Sequence, residues 1–531
     1  MPVWIETVAV PVPRIMFEPA QSLNSLSSAG PAHARRDFIP TVKRPESWLV
    51  ILIAAQLLLW TLVPLLLATS LPLDVVSNGL AWGHEWQWGY YKHPPLPSWT
   101  VELFFDALGD LGPFLLSQIA IVATYGFVFL LGREFLPARL AAIGTLLLVG
   151  VYYFSLPSPE FNHNVAQMPV WAAASFAYYK ALKTRRLRWW LALGVAAGIG
   201  LLTKYSTAVL LATMLLHMAA GRQTRTAFLS FGPYVAFAAC LAIASPHLVW
   251  LADNHFPTFA YAVRRAGHAE SGSERIVAPF KFLLAQSVDI LPAIAVAAVA
   301  GLIGKDSFRK VTNLQDEDVR FVLFLTLGPP ILTALLSLAT GLGIRDMWGA
   351  PMWNLTGLLL ALGAVSRWQQ VSLSRLAACL TVLFCVGLVA YALSTTFVPD
   401  WQNKPSRTEW PDRALAQTFS EQWTIATHRP LNIVAGDEWL AGLIAMRAAP
   451  RPSVWADGSY LKSPWITPQS VAREGALVVW RIRAGNSAPP PNLAALPHFR
   501  SLGSREFAWP RAPRAQPLRV GFGIVTPTGA S

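Results

Sequence analysis

Apolar residues run through this chain in long stretches separated by short polar connections. The first stretch, Trp48 to Ser70, holds about 23 residues, and about 20 cross the hydrocarbon core of a bilayer. The same pattern predicts eleven spans, roughly at 47–69, 113–132, 138–156, 166–182, 189–203, 206–220, 228–250, 279–303, 321–340, 349–365 and 374–397. The shortest pair meets at Thr203-Lys204-Tyr205-Ser206, about 30 residues broken by one charge. Two outer connections are long, 70–112 and 251–278. The first ends in PSWTVELFFDALGD, where Trp99, Leu103, Phe104 and Leu108 recur at helical spacing. That spacing predicts an amphipathic helix on the membrane surface. Beyond residue 398 the pattern changes. LNIVAG, DEWLAGLIAMRAA, SVWAD and ALVVWRI read as strand, helix, strand and strand, with Asp437 as the helix N-cap. The Pro- and Ala-rich segment 483–518 reads as irregular. The expectation is a polytopic α-helical membrane protein with about 11 transmembrane helices and a small outer C-terminal α/β domain.

Composition sharpens this picture. Of 531 residues, 54% are hydrophobic and only 13% charged, against roughly 25% charged in soluble proteins. The net charge of +13 is therefore read as membrane topology, and no nucleic-acid partner is inferred from it. Arg35, Arg36, Lys43 and Arg44 precede the first span; Arg133 and Arg139, then Lys180 to Arg188, then Arg222 and Arg225, then Lys305 to Arg320, then Arg367 and Arg375 fall on the same side. The opposite connections are poorer in basic residues: Lys92, Lys204, Arg264, Arg265, Arg275 and Arg345. The bias puts the N-terminus inside and the long loops and the C-terminal tail outside. Residues 1–45, rich in Pro, Ser, Ala and Arg, are expected to form a disordered cytoplasmic arm without a signal peptide, so the first span drives insertion. Residues 46–398 form the transmembrane domain in this reading, and 399–531 the outer domain. Cys240, Cys379 and Cys385 lie inside apolar runs without metal or redox spacing; they are expected to be buried packing residues.

Ionisable residues at membrane level are costly and mark functional sites. Those on the outer side are Asp74; His84, Glu85, Lys92 and His93; Glu160 with Asn162, His163 and Asn164; Lys204 and Tyr205; Asp253 and His255 with Arg264 and Arg265; and Arg345 with Asp346. All stand at or near span ends on one face. Asp74 is either a general base, its pKa lifted by partial burial, or a helix cap. The stretch WGHEWQWGYYKHPPLPSW, 82–99, combines rings that suit a sugar face or an interfacial belt with prolines that stiffen its exit.

An Asp just after the first span, followed by a loop ending in Tyr-Lys-His-Pro-Pro-Leu-Pro-Ser-Trp (91–99), resembles the family 39 glycosyltransferases that use polyprenyl-phosphate sugars. These include the protein O-mannosyltransferases and the lipid A aminoarabinose transferases. GIGLLTKYS (198–206), SPHLVWLADNHFPTFAYA (245–262) and FNHN (161–164) are similar to further family segments, in order and on one side. Asp74 is followed by Val75 and Lys92 precedes His93, so the second acid of many relatives is missing from both usual places; Glu85 and Glu160 are the candidates to replace it.

The resemblance implies a GT-C-type fold in a bacterial inner membrane, with the active site and C-terminus periplasmic. It implies inverting transfer of a sugar from a polyprenyl-phosphate donor to a glycan, lipid or protein acceptor. In that frame Asp74, Lys92 and His93 are the catalytic candidates. Lys204, Arg264, Arg265 and Arg345 would hold the donor phosphate. Glu85, Trp88, Tyr91, Asn162, His163, Asn164 and Tyr205 would hold sugar or acceptor. No cofactor is required by the pattern; a divalent metal held by Asp74 with His84 and Glu85, or with Glu160 and His163, is an option. A transporter or flippase of lipid-linked sugars, and a non-catalytic membrane scaffold, are the competing readings. Clustering of the charges at one face and the absence of an internal repeat favour the enzyme.

Overall fold

The computed structural model describes residues 44–266, 272–483 and 487–528. The arm at 1–45 lies outside these residues except for Arg44 and Pro45, where the first helix starts. Residues 267–271 of the second long loop also lie outside them.

The chain is mostly helical. Six helices among the described residues are long and apolar enough to cross a membrane: Pro45–Leu67, Leu111–Gly132, Gly232–Asp253, Arg275–Val299, Glu317–Thr340 and Leu373–Gln402. Leu187–Thr203 and Thr207–Ala220 are apolar but shorter. Two expected spans are broken up. The run at 138–156 is α-helical only over Ala138–Leu146 and continues in tighter turns to Phe154. The run at 349–365 keeps a regular helix only over Thr356–Gly363.

The long helices turn leucines outward and tie their inner faces with polar contacts. In Pro45–Leu67, Leu58, Leu62 and Leu66 are exposed while Gln56 and Trp60 are buried. Gln56 Nε2 donates to Gln118 Oε1 at 2.9 Å, and Gln118 Nε2 donates to the Ser158 carbonyl at 3.1 Å. In lipid, such contacts replace the water those amides would lose. The cysteines depart from expectation. Cys385 is exposed and Cys240 and Cys379 are only partly buried, because the apolar faces that carry them point outward, where lipid rather than protein would cover them.

Between the first two long helices lie a π-helical turn, Val75–Leu80, and the helix Leu96–Leu108. The latter is amphipathic in the expected sense: Leu103 and Leu108 are exposed, while Pro97, Ser98, Val101 and Glu102 are buried. Its buried face meets the C-terminal region rather than other transmembrane helices alone.

That region holds a five-stranded sheet in the order β2-β1-β3-β5-β4: β1 Ile433–Gly436, β2 Ser453–Ala456, β3 Ala476–Arg481, β4 Phe499–Phe507 and β5 Leu518–Val525. β1 pairs parallel with β2 and β3, while β5 runs antiparallel between β3 and β4. Asp437 caps Glu438–Ala445 as expected, accepting from the amides of Trp439 and Leu440. The segment 483–518 is not all irregular, since β4 lies within it. β4 is an edge strand with mostly exposed side chains and a register shift between Ser501 and Gly503. It therefore lacks the apolar alternation that would announce a strand.

Arginine forks hold the sheet region to the loop beneath it. Arg451 grips Glu102 with Nη1–Oε1 at 2.6 Å and Nη2–Oε2 at 2.9 Å, and Nη2 also donates to the Leu80 carbonyl at 3.0 Å. Arg447 grips Asp110 at 2.7 and 2.9 Å and Asp412 at 2.8 Å. Such bidentate pairs fix both distance and angle. Glu102 is 1% exposed, so removing its partner strands a buried charge. Arg451→Ala is expected to cost about 3–5 kcal/mol of stability, read as a lowered Tm in detergent. The double variant Arg451→Met, Glu102→Met should recover most of that loss.

Candidate active site

Asp74 follows the first helix and opens the Val75–Leu80 turn. One turn later, Asn78 Nδ2 donates to Asp74 Oδ1 at 3.0 Å. The Asp74 amide donates to Glu160 Oε1 at 3.0 Å. Glu160 thus stands beside Asp74, and Arg407 reaches the same Oε1 at 3.3 Å. Burial first, and the neighbouring Asp74 carboxylate second, push the Glu160 carboxyl above its ordinary range. Of the two candidates for a second acid, Glu160 is at the site. Glu85 is not: its own environment is Ser453, His84 and Glu102, away from the cavity described below.

Lys92 reaches Asp74 only indirectly. Its Nζ lies 3.4 Å from Asn78 Oδ1, which presents its other end to Asp74. Its main partner is Glu438, at the start of the helix after β1. The ammonium also sits over Tyr91, Trp82 and Tyr261, at 5.1, 5.6 and 5.9 Å from their centroids. Burial, and then the Glu438 charge, raise the Tyr91 hydroxyl well above its usual range. Lys92 is therefore committed to an ion pair, with an aromatic wall around it.

Lys204 differs. It caps Leu187–Thr203, and its Nζ donates to Asn164 Oδ1 at 2.5 Å and lies 5.8 Å from the Trp348 ring. Among the described residues it has no carboxylate in ion-pair contact. Burial lowers it to about 8, partly offset by attraction from Asp74. Arg265 and Arg345 likewise have no ion pair among the described residues, and both line the same cavity.

The histidines stay neutral. His93 and His163 pack against each other, tilted by 35°, with centroids 4.1 Å apart. Burial, then His163 and the nearby Lys204 and Lys92, hold His93 well below its ordinary value. A third histidine orders the aromatic loop. His247 Nδ1 is 2.7 Å from the Trp88 carbonyl, so it is the donor there, and Nε2 accepts from the Tyr205 hydroxyl at 2.7 Å. The loop passes so close that a Cβ on Gly89 would sit 2.3 Å from Trp250.

These groups surround a cavity of about 1730 Å³. Asp74, Tyr91, Lys92, His93, Asn162, His163, Asn164, Lys204, Tyr205, Arg265 and Arg345 all line it. Three expected residues do not. Glu85 lies elsewhere, Arg264 is not in the lining, and Trp88 is exposed and packs against Trp99 at 4.8 Å between centroids. Asn162 lines the cavity, but its Oδ1 caps His163–Thr184 by accepting from the amides of Asn164 and Val165. Asn78, Tyr261, Trp348, Arg407 and Glu438 were not singled out from the sequence. Asn78, four residues after Asp74, was findable by helical spacing; the others come from distant segments.

Among the described residues no group of three His, Cys, Asp or Glu side chains is placed to hold a metal ion. His84 instead faces Glu102, with Nδ1 3.4 Å from Oε1. Asp74 and Glu160 are adjacent, but the third nearby candidate, His163, packs against His93.

The chain is similar in sequence and fold to known proteins. Residues 92–250 match the family model described as dolichyl-phosphate-mannose-protein mannosyltransferase. Two lipopolysaccharide core galacturonosyltransferases of Rhizobium johnstonii (strain DSM 114642 / LMG 32736 / 3841) align over most of their length. RgtB is 27% identical, covering 85% of this chain and 91% of that protein; RgtA is 26% identical, covering 81% and 86%. The crystal structure of ArnT from Cupriavidus metallidurans bound to undecaprenyl phosphate superposes with a TM-score of 0.60 at 14% identity, covering 91% of this chain and 99% of that one. The chain is therefore a glycosyltransferase, similar to those of family 39 and sharing the fold of ArnT. It is a multi-pass membrane enzyme with bacterial relatives, and the transporter and scaffold readings give way to it.

The paired neutral histidines give a pH test. An imidazole with a depressed pKa stabilises the fold above the unfolded value near 6.5, and that stability is lost as the pH falls. Thermal unfolding in detergent should show Tm dropping between about pH 7 and pH 5. His93→Asn should flatten the drop; an unchanged slope would mean that the His93 environment is not as described.

Proposed function

We propose that the cavity binds a polyprenyl-phosphate-linked sugar and that Asp74 accepts the proton of an attacking hydroxyl. The observation that carries this is Lys204, a desolvated ammonium lining the cavity whose contacts among the described residues are a neutral amide and an indole, with Asp74 near enough to attract it. With Arg265 and Arg345, which share the lining and have no ion pair among the described residues, it offers cations for an anion in the cavity that also holds the Asp74–Glu160 pair. A phosphate supplies the missing negative charge, and exposed aliphatic helix faces suit a polyprenyl tail. The undecaprenyl phosphate bound to ArnT supports the same donor class here. The names of RgtA and RgtB point to a glycan of the lipopolysaccharide type as acceptor and to a uronic acid as the sugar.

In this mechanism the acceptor oxygen attacks the anomeric carbon, with inversion. The bond from that carbon to the phosphate oxygen breaks, and the polyprenyl phosphate leaves with the electron pair. Asp74 takes the hydroxyl proton, Asn78 holds the receiving carboxylate, and Lys204 with the two arginines stabilises the leaving phosphate. Lys92 is a positioning residue: through Asn78 it orients Asp74, and through Glu438 it fixes the outer wall. Tyr91, His163, Asn164 and Tyr205 then border the sugar. About eleven spans, with 46–398 as the transmembrane catalytic domain and 399–531 as the periplasmic domain, complete the proposal. The basic bias of the opposite connections supports that orientation.

The test is transfer of label from polyprenyl-phosphate galacturonic acid to a lipopolysaccharide core extract. Asp74→Asn should lower kcat by at least about 100-fold, the usual scale for a lost general base. Lys204→Ala should weaken donor binding. Donor affinity should also fall as the pH rises through about 8, where the Lys204 ammonium deprotonates. Full activity in Asp74→Asn would remove the proposed base.

A further inference from the structure

A second cavity, of about 820 Å³, lies among the C-terminal strands and is absent from the mechanism above. It falls within the roughly 300–1,000 Å³ of small-ligand sites. Four indoles line it: Trp410, Trp439, Trp480 and Trp509. Trp410 meets Trp439 and Trp509 edge-on, with centroids 5.5 and 5.1 Å apart. The N–H groups of Trp480 and Trp509 are spent on the carbonyls of Ser487 and Gln516, at 3.2 and 2.9 Å, which fixes those rings. The indole N–H groups of Trp410 and Trp439 have no hydrogen-bond partner among the described residues and are available to a ligand.

The charge here is one-sided. Arg481 lies 5.5 Å over the Trp410 ring. Arg481, Arg483 and Lys404 line the cavity, and none forms an ion pair with a carboxylate among the described residues. The two acids of the lining are already engaged. Asp457 pairs with Lys462 at 2.5 Å, and Asp437 caps the helix after β1. Rings that suit sugar faces, with free guanidinium groups that grip carboxylate or phosphate, describe a site for an acidic sugar chain.

The cavity also opens toward the first. Leu73, Arg407, Asp437, Trp439 and Asp457 line both, and Leu73 directly precedes Asp74. A chain held at the tryptophans can therefore present a hydroxyl to Asp74.

We propose that this cavity is the acceptor site and that it takes an anionic oligosaccharide, bearing either carboxylate or phosphate. This rests on the transferase reading above. The test uses the full-length enzyme in nanodiscs and isothermal titration with three probes: tetragalacturonate, a monophosphorylated oligomannose and neutral maltotetraose. The wild type should bind an acidic probe, with the stronger of the two identifying the acidic group, and should not bind maltotetraose. Arg481→Gln with Arg483→Gln, two exposed side chains, should weaken that binding at least tenfold while affinity for undecaprenyl phosphate is retained. In the transfer assay the same variant should raise the acceptor KM. Equal binding of neutral and acidic probes, or unchanged affinity in the double variant, would overturn the proposal even if transfer proceeds. Acidic binding that is lost in the variant, without any sugar transfer by the wild type, would uphold the glycan site and sink the transferase mechanism instead.

Discussion

The Arg451–Glu102 fork, with Arg447 on Asp110 and Asp412, is the contact on which the rest of the site depends. Asp437, Glu438, Trp439 and Asp457 all belong to the region it holds, and all four line the large cavity. Apolar packing of Val76 and Leu80 against the Glu438–Ala445 helix seats that wall, and the forks fix its angle. Were the wall to tilt, Lys92 would lose Glu438, and the chain of contacts from Glu438 through Lys92 and Asn78 to Asp74 would break at its first link. Buried carboxylates are costly, but once paired in rigid bidentate geometry they set distances that apolar packing alone leaves loose. The catalytic candidate at the end of the first helix is thus positioned from the sheet region.

Inside the cavity the charges divide into two kinds. Lys92, Arg407 and Glu438 are neutralised within the protein, whereas Lys204, Arg265 and Arg345 have no anion among the described residues. The histidines between them stay uncharged through burial and the nearby cations. This pattern leaves three cations of the lining without an ion pair among the described residues and the Asp74–Glu160 pair in the same lining. A ligand that carries both a phosphate and a sugar, as proposed above, would meet both sets of groups.

Much of this was legible in the sequence, and the reasons are specific. The longest apolar runs were found as long helices, whereas the runs at 138–156 and 349–365 were read as single spans and are broken, because apolar content alone does not fix helical continuity. Asp74, Lys204 and Asn164 were visible because polar groups at span ends stand out against their surroundings. The side chains that reach Asp74 from far along the chain were not visible. Glu438 lies 346 residues from Lys92, and nothing local in DEWLAG separates an ion-pairing glutamate from a solvated one. Glu85 illustrates the converse: it stands in the aromatic loop near Lys92, yet the fold turns it toward Ser453. The edge strand β4 was missed because an exposed strand needs no apolar alternation.

Photocrosslinking with a polyprenyl phosphate that carries a diazirine in its first isoprene unit tests the central claim most directly. The expected result is labelling of cavity residues around Lys204, such as Tyr205 and Trp348, that is competed by excess undecaprenyl phosphate and lost in Lys204→Ala. Labelling confined to the outward-facing leucines of Pro45–Leu67, unchanged in Lys204→Ala, would contradict it. In that case the lipid would touch the enzyme only as solvent, and the cavity would have to be assigned to another ligand.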